Sequence, residues 1–189
     1  DNMAILGAVN DIGITHAITS KIEHHAVLHT LESLEKQGKI KLSFVNLTAK
    51  GEVDLAHLEE LLKNNPRSLV SLMEANNELG NLLPLQKVGE ICEKYDAIFH
   101  SDTVQTMGHY VHDLQKINVH FITCAAHKFH GPKGIGFLYV NSKVKINPMI
   151  HGGSQERNMR GGTENVHGII GLAKALEIAY RDMEAHQQH

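Results

Sequence analysis

The chain has 189 residues, 42% of them hydrophobic and 21% charged, with a net charge of −3 when the histidines are neutral; this suffices for one domain with a real core. No basic stripe suggests nucleic acid or an anionic membrane surface, no apolar run is long enough to span a bilayer, and the first residues lack the layout of a signal peptide. The only two cysteines, Cys92 and Cys124, form no disulfide framework and a cytoplasmic location is expected; the 15 histidines are dispersed without a strong zinc spacing, so no metal site is expected.

Asp1 to Val9 has a helical pattern and begins abruptly, without an initiator methionine, which reads as a piece cut from a longer protein. His16–Thr19 is a short predicted strand. From Ala26 to Gln37 the apolar residues Val27, Leu28, Leu31 and Leu34 share one helix face, and Gly38 ends it. Lys41 to Leu47 reads as a strand, and Asp54 caps a helix through Leu62. Ser68 to Met73 is the next strand, Pro84 opens a helix to Tyr95, and Ala97 to Phe99 is a strand again. Val119–Cys124 and Ile135–Val140 are two more, and a final amphipathic helix runs from Val166 to Met183. The glycine-rich stretch from Met149 to Asn165 reads as a long functional loop. Strands alternating with helices predict an α/β, three-layer domain with a mostly parallel sheet.

Ligands of open α/β sheets bind beyond the carboxyl ends of the strands, and four predicted strands lead into polar groups there. These are Glu23-His24-His25, Asn76-Asn77-Glu78-Leu79-Gly80, Ser101-Asp102-Thr103-Val104-Gln105 and His127-Lys128. Each has a plain alternative: a histidine starting a helix, an asparagine holding a turn, an aspartate bonding loop amides, a lysine opening a loop. Their coincidence is harder to explain plainly. A lysine at the mouth of a buried strand is expected to be partly desolvated, which favours its nucleophilic amine. Pyridoxal phosphate needs such a lysine, an acid at its pyridine nitrogen, a flat stacking partner, and donors for its hydroxyl and phosphate.

At these residues the chain resembles the cysteine desulfurases, fold-type I pyridoxal-phosphate enzymes of the class V aminotransferase group. The likeness rests on Ser20-Lys21-Ile22-Glu23-His24-His25, the Asn76-to-Gly80 turn and Ser101-Asp102-Thr103-Val104-Gln105. It continues through His127-Lys128-Phe129-His130-Gly131-Pro132-Lys133-Gly134 and His151-Gly152-Gly153 leading to Arg160-Gly161-Gly162-Thr163. The resemblance implies that Lys128 holds pyridoxal 5'-phosphate and shuttles protons, and that His24 stacks on the ring and assists acid–base steps. It further implies that Asp102 pairs with the pyridine nitrogen, that Asn76 and Gln105 bond the hydroxyl side, and that His127 contacts the phosphate. Thr163 would reach the phosphate of the partner subunit in a homodimer. The implied reaction converts L-cysteine to L-alanine and leaves a persulfide on the enzyme, whose sulfur passes to acceptor or scaffold proteins for iron–sulfur or thio-cofactor assembly.

Three departures accompany the likeness. The family's phosphate-binding loop would precede Asp1, and its nucleophilic cysteine and substrate-carboxylate arginine would follow His189, in the small C-terminal domain. Ala125 stands where many members have a phosphate-bonding serine. Cys92 shares a helix face with Val88, Ile91 and Tyr95 and reads as core, and Cys124 reads as buried in a strand; neither matches the family's nucleophile. Residues 1–189 are thus expected to be most of a large coenzyme-binding domain, with little or no desulfurase activity alone. The alternatives are a selenocysteine lyase or another pyridoxal-phosphate lyase or aminotransferase and, in a different class, a non-catalytic dimerisation module that keeps the fold.

Overall fold

In a computed structural model that describes residues 1–188, one six-stranded sheet runs through the chain in the order β2-β1-β3-β4-β5-β6. Its strands are β1 (His16–Thr19), β2 (Lys41–Phe44), β3 (Leu69–Ser71), β4 (Ile98–Asp102), β5 (Phe121–Ala125) and β6 (Gly136–Val140). The first five are parallel, and β6 pairs antiparallel with β5. The helices are α1 (Asn2–Asn10), α2 (His25–Lys36), α3 (Leu55–Asn64), α4 (Leu85–Lys94), α5 (Gln155–Asn158), α6 (Val166–Arg181) and α7 (Met183–Gln187).

Successive strand residues point to opposite faces, and here both faces are apolar. Ala17, Leu69 and Phe121 face Ala4, Ile5 and Ala8 of α1 and Val27, Leu31 and Leu34 of α2. Their neighbours Ile18, Val70 and Ile122 belong to a second cluster with Leu58 and Leu62 of α3, Val88 and Cys92 of α4, and Ala179 of α6. A sheet apolar on both sides must be covered on both sides, which gives three layers. The parallel α/β reading and most of the elements agree with the sequence.

The ends of elements differ where polar groups intervene. β4 runs to Asp102 rather than stopping at Phe99. Its polar residues stay in the sheet because each has a partner. His100 Nδ1 meets Ser71 Oγ at 2.8 Å, Ser101 Oγ donates to the Leu72 carbonyl at 2.8 Å, and Asp102 Oδ1 accepts from the Val104 amide at 2.9 Å. β2 stops at Phe44 because the chain folds back, with Leu47 bridged antiparallel to Val53. The stretch from Met149 to Asn165 contains α5, one turn in which Glu156, Arg157 and Asn158 all take positive φ.

Strand β1 is followed in space by β2 on one side and by β3 on the other. The chain therefore reverses its direction of winding between β1 and β3, the switch point at which a crevice opens in open α/β sheets.

Candidate coenzyme site at the strand ends

A cavity of about 250 Å³ lies at this end of the sheet, lined by Asp1, His24, Ala26, Met73, Asn77, Asp102, Val104, Gln105, Ala125, His127 and Lys128. Five of the seven residues singled out from the sequence meet here: Lys128, His24, Asp102, Gln105 and His127.

Lys128 is carried by a turn of 3₁₀ helix, Ala126–Phe129, that follows β5 directly. Ala126 and Phe129 are buried in the core and anchor the turn, which leaves His127 and Lys128 on its open side. The close approach of β6 secures the strand behind it: a Cβ at Gly136 would run into the Cys124 carbonyl. Lys128 is exposed, which corrects the expectation of a partly desolvated amine. The 3₁₀ turn lifts it three residues beyond the last paired strand residue, Ala125, to the rim of an open cavity.

Asp102 is 5% exposed at the end of β4. Its Oδ1 is taken by the Val104 amide, while Oδ2 makes no hydrogen bond among the described residues. Beside it, Asp1 Oδ1 accepts from Thr123 Oγ1 at 2.6 Å and stands 3.3 Å from His100 Nε2, close but not aligned as a hydrogen bond. His100 is wholly buried, and burial above all pushes its imidazole down to about 3, which keeps it neutral.

His24 caps α2: its Nδ1 accepts from the Ala26 amide at 3.2 Å. With Nδ1 used as acceptor, the ring's proton sits on Nε2. Gln105 is half-buried on the loop after β4 and lines the cavity beside Val104.

The other two, Asn76 and Thr163, do not line this cavity, which departs from expectation only for Asn76, since Thr163 is expected at the site of a partner subunit. Asn76 does not line the cavity, because its amide is consumed by the turn it builds. Its Nδ2 donates to the Ile22 carbonyl at 2.7 Å, and its Oδ1 accepts from the amides of Glu78 and Leu79, both at 2.8 Å. The adjacent Asn77 is exposed and lines the cavity instead. The signal was present in the sequence: in an Asn-Asn turn the first side chain bonds back to the backbone and the second is released. Thr163 is exposed on the segment before α6 and does not reach this cavity.

Glu23, one of the strand-end polar groups to which the sequence assigns no role, is 6% exposed behind His24. Its Oε1 accepts from Ser20 Oγ at 2.6 Å and its Oε2 from the Met73 amide at 2.8 Å. Burial raises its carboxyl to about 8, against the opposing pull of these two bonds, and the Asp102 charge adds to the rise. Cys92 and Cys124 are buried as expected, and burial pushes the Cys124 thiol up to about 12 and raises that of Cys92 as well. Neither supplies a thiolate near neutral pH.

As a set, the cavity offers an amine, a carboxylate with a free oxygen, an imidazole face, two carboxamides, and apolar walls from Ala26, Met73 and Val104. Such groups can hold a flat heteroaromatic aldehyde whose ring nitrogen is protonated. Among the described residues no group of three or more His, Cys, Asp or Glu is placed to hold a metal ion, and no helix is long and apolar enough to cross a membrane.

The profile of the family described as aminotransferase class-V matches residues 2–189. The chain is 45% identical over 186 residues to a protein of Dictyoglomus turgidum named cysteine desulfurase IscS, which covers 97% of this chain and 47% of that protein. A protein of the same name from Methanosarcina thermophila is also 45% identical, over 187 residues, with 97% and 46% covered. Among solved structures, a NifS-like protein superposes with a TM-score of 0.93 at 40% identity, covering 100% of this chain and 52% of the other. A structure of SspA in complex with cysteine gives a TM-score of 0.87 at 36% identity, covering 93% and 51%. The chain spans about half the length of the curated relatives it matches.

Proposed function

The chain belongs to the aminotransferase class-V family, and from that premise we propose that it is the coenzyme-holding part of a pyridoxal-phosphate-dependent cysteine desulfurase. The overall reaction is L-cysteine to L-alanine, with the sulfur left as a persulfide on an enzyme cysteine. The observation that carries this reading is the convergence of Lys128, Asp102 and His24 on one cavity from the ends of three different strands. Bound there, the coenzyme would supply an electron sink for the substrate's α-carbon.

Lys128 would provide the amine that anchors the coenzyme and would move protons at the substrate's α-carbon. Asp102 offers its free Oδ2 to a protonated ring nitrogen, and burial strengthens that pairing relative to water. His24 would lay its ring against the coenzyme, its Nδ1 being taken by the capping bond to Ala26. Gln105 and Asn77 supply carboxamide donors for the ring hydroxyl, Asn77 taking the place first expected of Asn76. His127 would contact the phosphate; Ala125, also on the cavity wall, has no hydroxyl to add. Thr163, exposed and remote from this cavity, serves the phosphate of a partner subunit in a homodimer.

Neither Cys92 nor Cys124 is suited to accept the sulfur, since both are buried with raised thiols; by the family resemblance that thiol and the cation for the substrate carboxylate would lie in another part of a longer protein. The test is conversion of L-cysteine to alanine. The longer protein is expected to turn over and its Lys128→Ala variant to lose the activity, while the 189-residue chain alone shows little or none. Turnover by the isolated chain equal to that of a full-length relative would contradict this division of labour.

A further inference from the structure

The turn that carries His24 is fixed from behind. Residues 20–24 link β1 to α2, and two long-range bonds tie them to the segment after β3. Glu23 Oε2 accepts from the Met73 amide, and Asn76 Nδ2 donates to the Ile22 carbonyl. Inside the turn, Ser20 Oγ donates to Glu23 Oε1 at 2.6 Å. Glu23 points inward as His24 caps the helix, so the two side chains sit on opposite sides of one strand of backbone. Met73, the residue that Glu23 grips, itself lines the cavity.

Glu23 forms no ion pair among the described residues. The charged group that bears on it is Asp102, from β4, which repels a second negative charge. A buried carboxyl without a cation, next to a carboxylate that the site needs charged, is suited to act as a neutral bonding group. In that form one carboxyl oxygen still accepts from the Met73 amide.

We propose that Glu23 is the positioning residue for His24, clamping the β1–α2 turn onto Met73 by hydrogen bonds and needing no negative charge to do so. The part of this inference that concerns the coenzyme rests on the pyridoxal-phosphate reading above; the clamp itself does not.

The experiment uses the whole 189-residue chain and its Glu23→Gln, Glu23→Ala and Ser20→Ala variants. The Met73 amide and the His24 ring are followed by NMR from pH 6 to 10, and pyridoxal phosphate is titrated at pH 7. In the parent chain the Met73 amide should shift with a midpoint near 8. In E23Q that transition should vanish, with the His24 ring resonances in place and coenzyme affinity within about twofold. E23A should displace the His24 resonances and weaken affinity about tenfold, roughly 1.4 kcal/mol. Ser20→Ala should raise the Met73 midpoint, since the lost bond favours the charged form, and it serves where E23A fails to fold. E23Q failing as badly as E23A, E23A leaving the His24 ring unmoved, or a Met73 midpoint that S20A does not raise would each overturn the inference. A parent chain that takes up no pyridoxal phosphate would refute the proposed function, while the two NMR readouts still decide the clamp.

Discussion

Replacing Glu23 by glutamine should change how the stability of this chain depends on pH. In the unfolded chain the carboxyl loses its proton near its ordinary 4.5, whereas in the folded chain burial holds it until about 8. Between those values the folded state binds the extra proton, so unfolding becomes easier as pH rises. The contribution is fully present below pH 4.5 and lost by pH 8. At about 1.4 kcal/mol per pH unit the full change is on the order of 5 kcal/mol, a large share of a typical domain stability of about 5–15 kcal/mol. His100 acts in the opposite sense. Its imidazole is held down to about 3, so its contribution is present above 6.5 and lost as pH falls toward 3. The two must be separated by difference, which urea unfolding of parent and E23Q chains at intervals from pH 5 to 9 provides. The variant should gain on the parent steadily up to pH 8 and then level off. Equal pH slopes for the two proteins would refute the reasoning, because they would mean that Glu23 carries the same charge folded and unfolded.

Other substitutions should divide cleanly between scaffold and site. Asn76→Ala should cost about 1–3 kcal/mol of stability by leaving the Ile22 carbonyl and the Glu78 and Leu79 amides without partners. Asn77→Ala should leave the urea midpoint unchanged and weaken pyridoxal-phosphate uptake, so a reversed pattern would contradict the assignment. Gly136→Ala should destabilise by about 1–3 kcal/mol or more, because the added methyl group meets the Cys124 carbonyl; an unchanged melting temperature would count against that contact. Phe99→Ala should cost about 3–5 kcal/mol in unfolding experiments, since the ring is wholly buried in the core, and a loss below about 1 kcal/mol would contradict the packing described.

The parallel sheet was legible because its strands are apolar on both faces: Ala17-Ile18, Leu69-Val70 and Phe121-Ile122 are consecutive apolar pairs. The second half of β4 was not legible, because His100, Ser101 and Asp102 look like loop residues until Ser71, Leu72 and Val104 are seen to satisfy them. The site was legible as a set of residue types at strand ends. Local geometry corrected its details. Asn76 is spent on its own turn and yields the cavity to Asn77, and the 3₁₀ turn after β5 exposes Lys128 where the strand pattern suggested partial burial. Glu23 was hidden by its neighbour: a carboxylate beside His24-His25 reads as surface, and only the Met73 amide, fifty residues away, explains why it is inside.

The central claim, that this fold holds pyridoxal phosphate through Lys128, is tested most directly by covalent trapping. The chain is incubated with pyridoxal phosphate, reduced with borohydride, digested, and mapped by mass spectrometry. One dominant label is expected on Lys128, lost in Lys128→Ala and weakened by replacing Asp102. Label spread evenly over the exposed lysines, or unchanged by those substitutions, would contradict it.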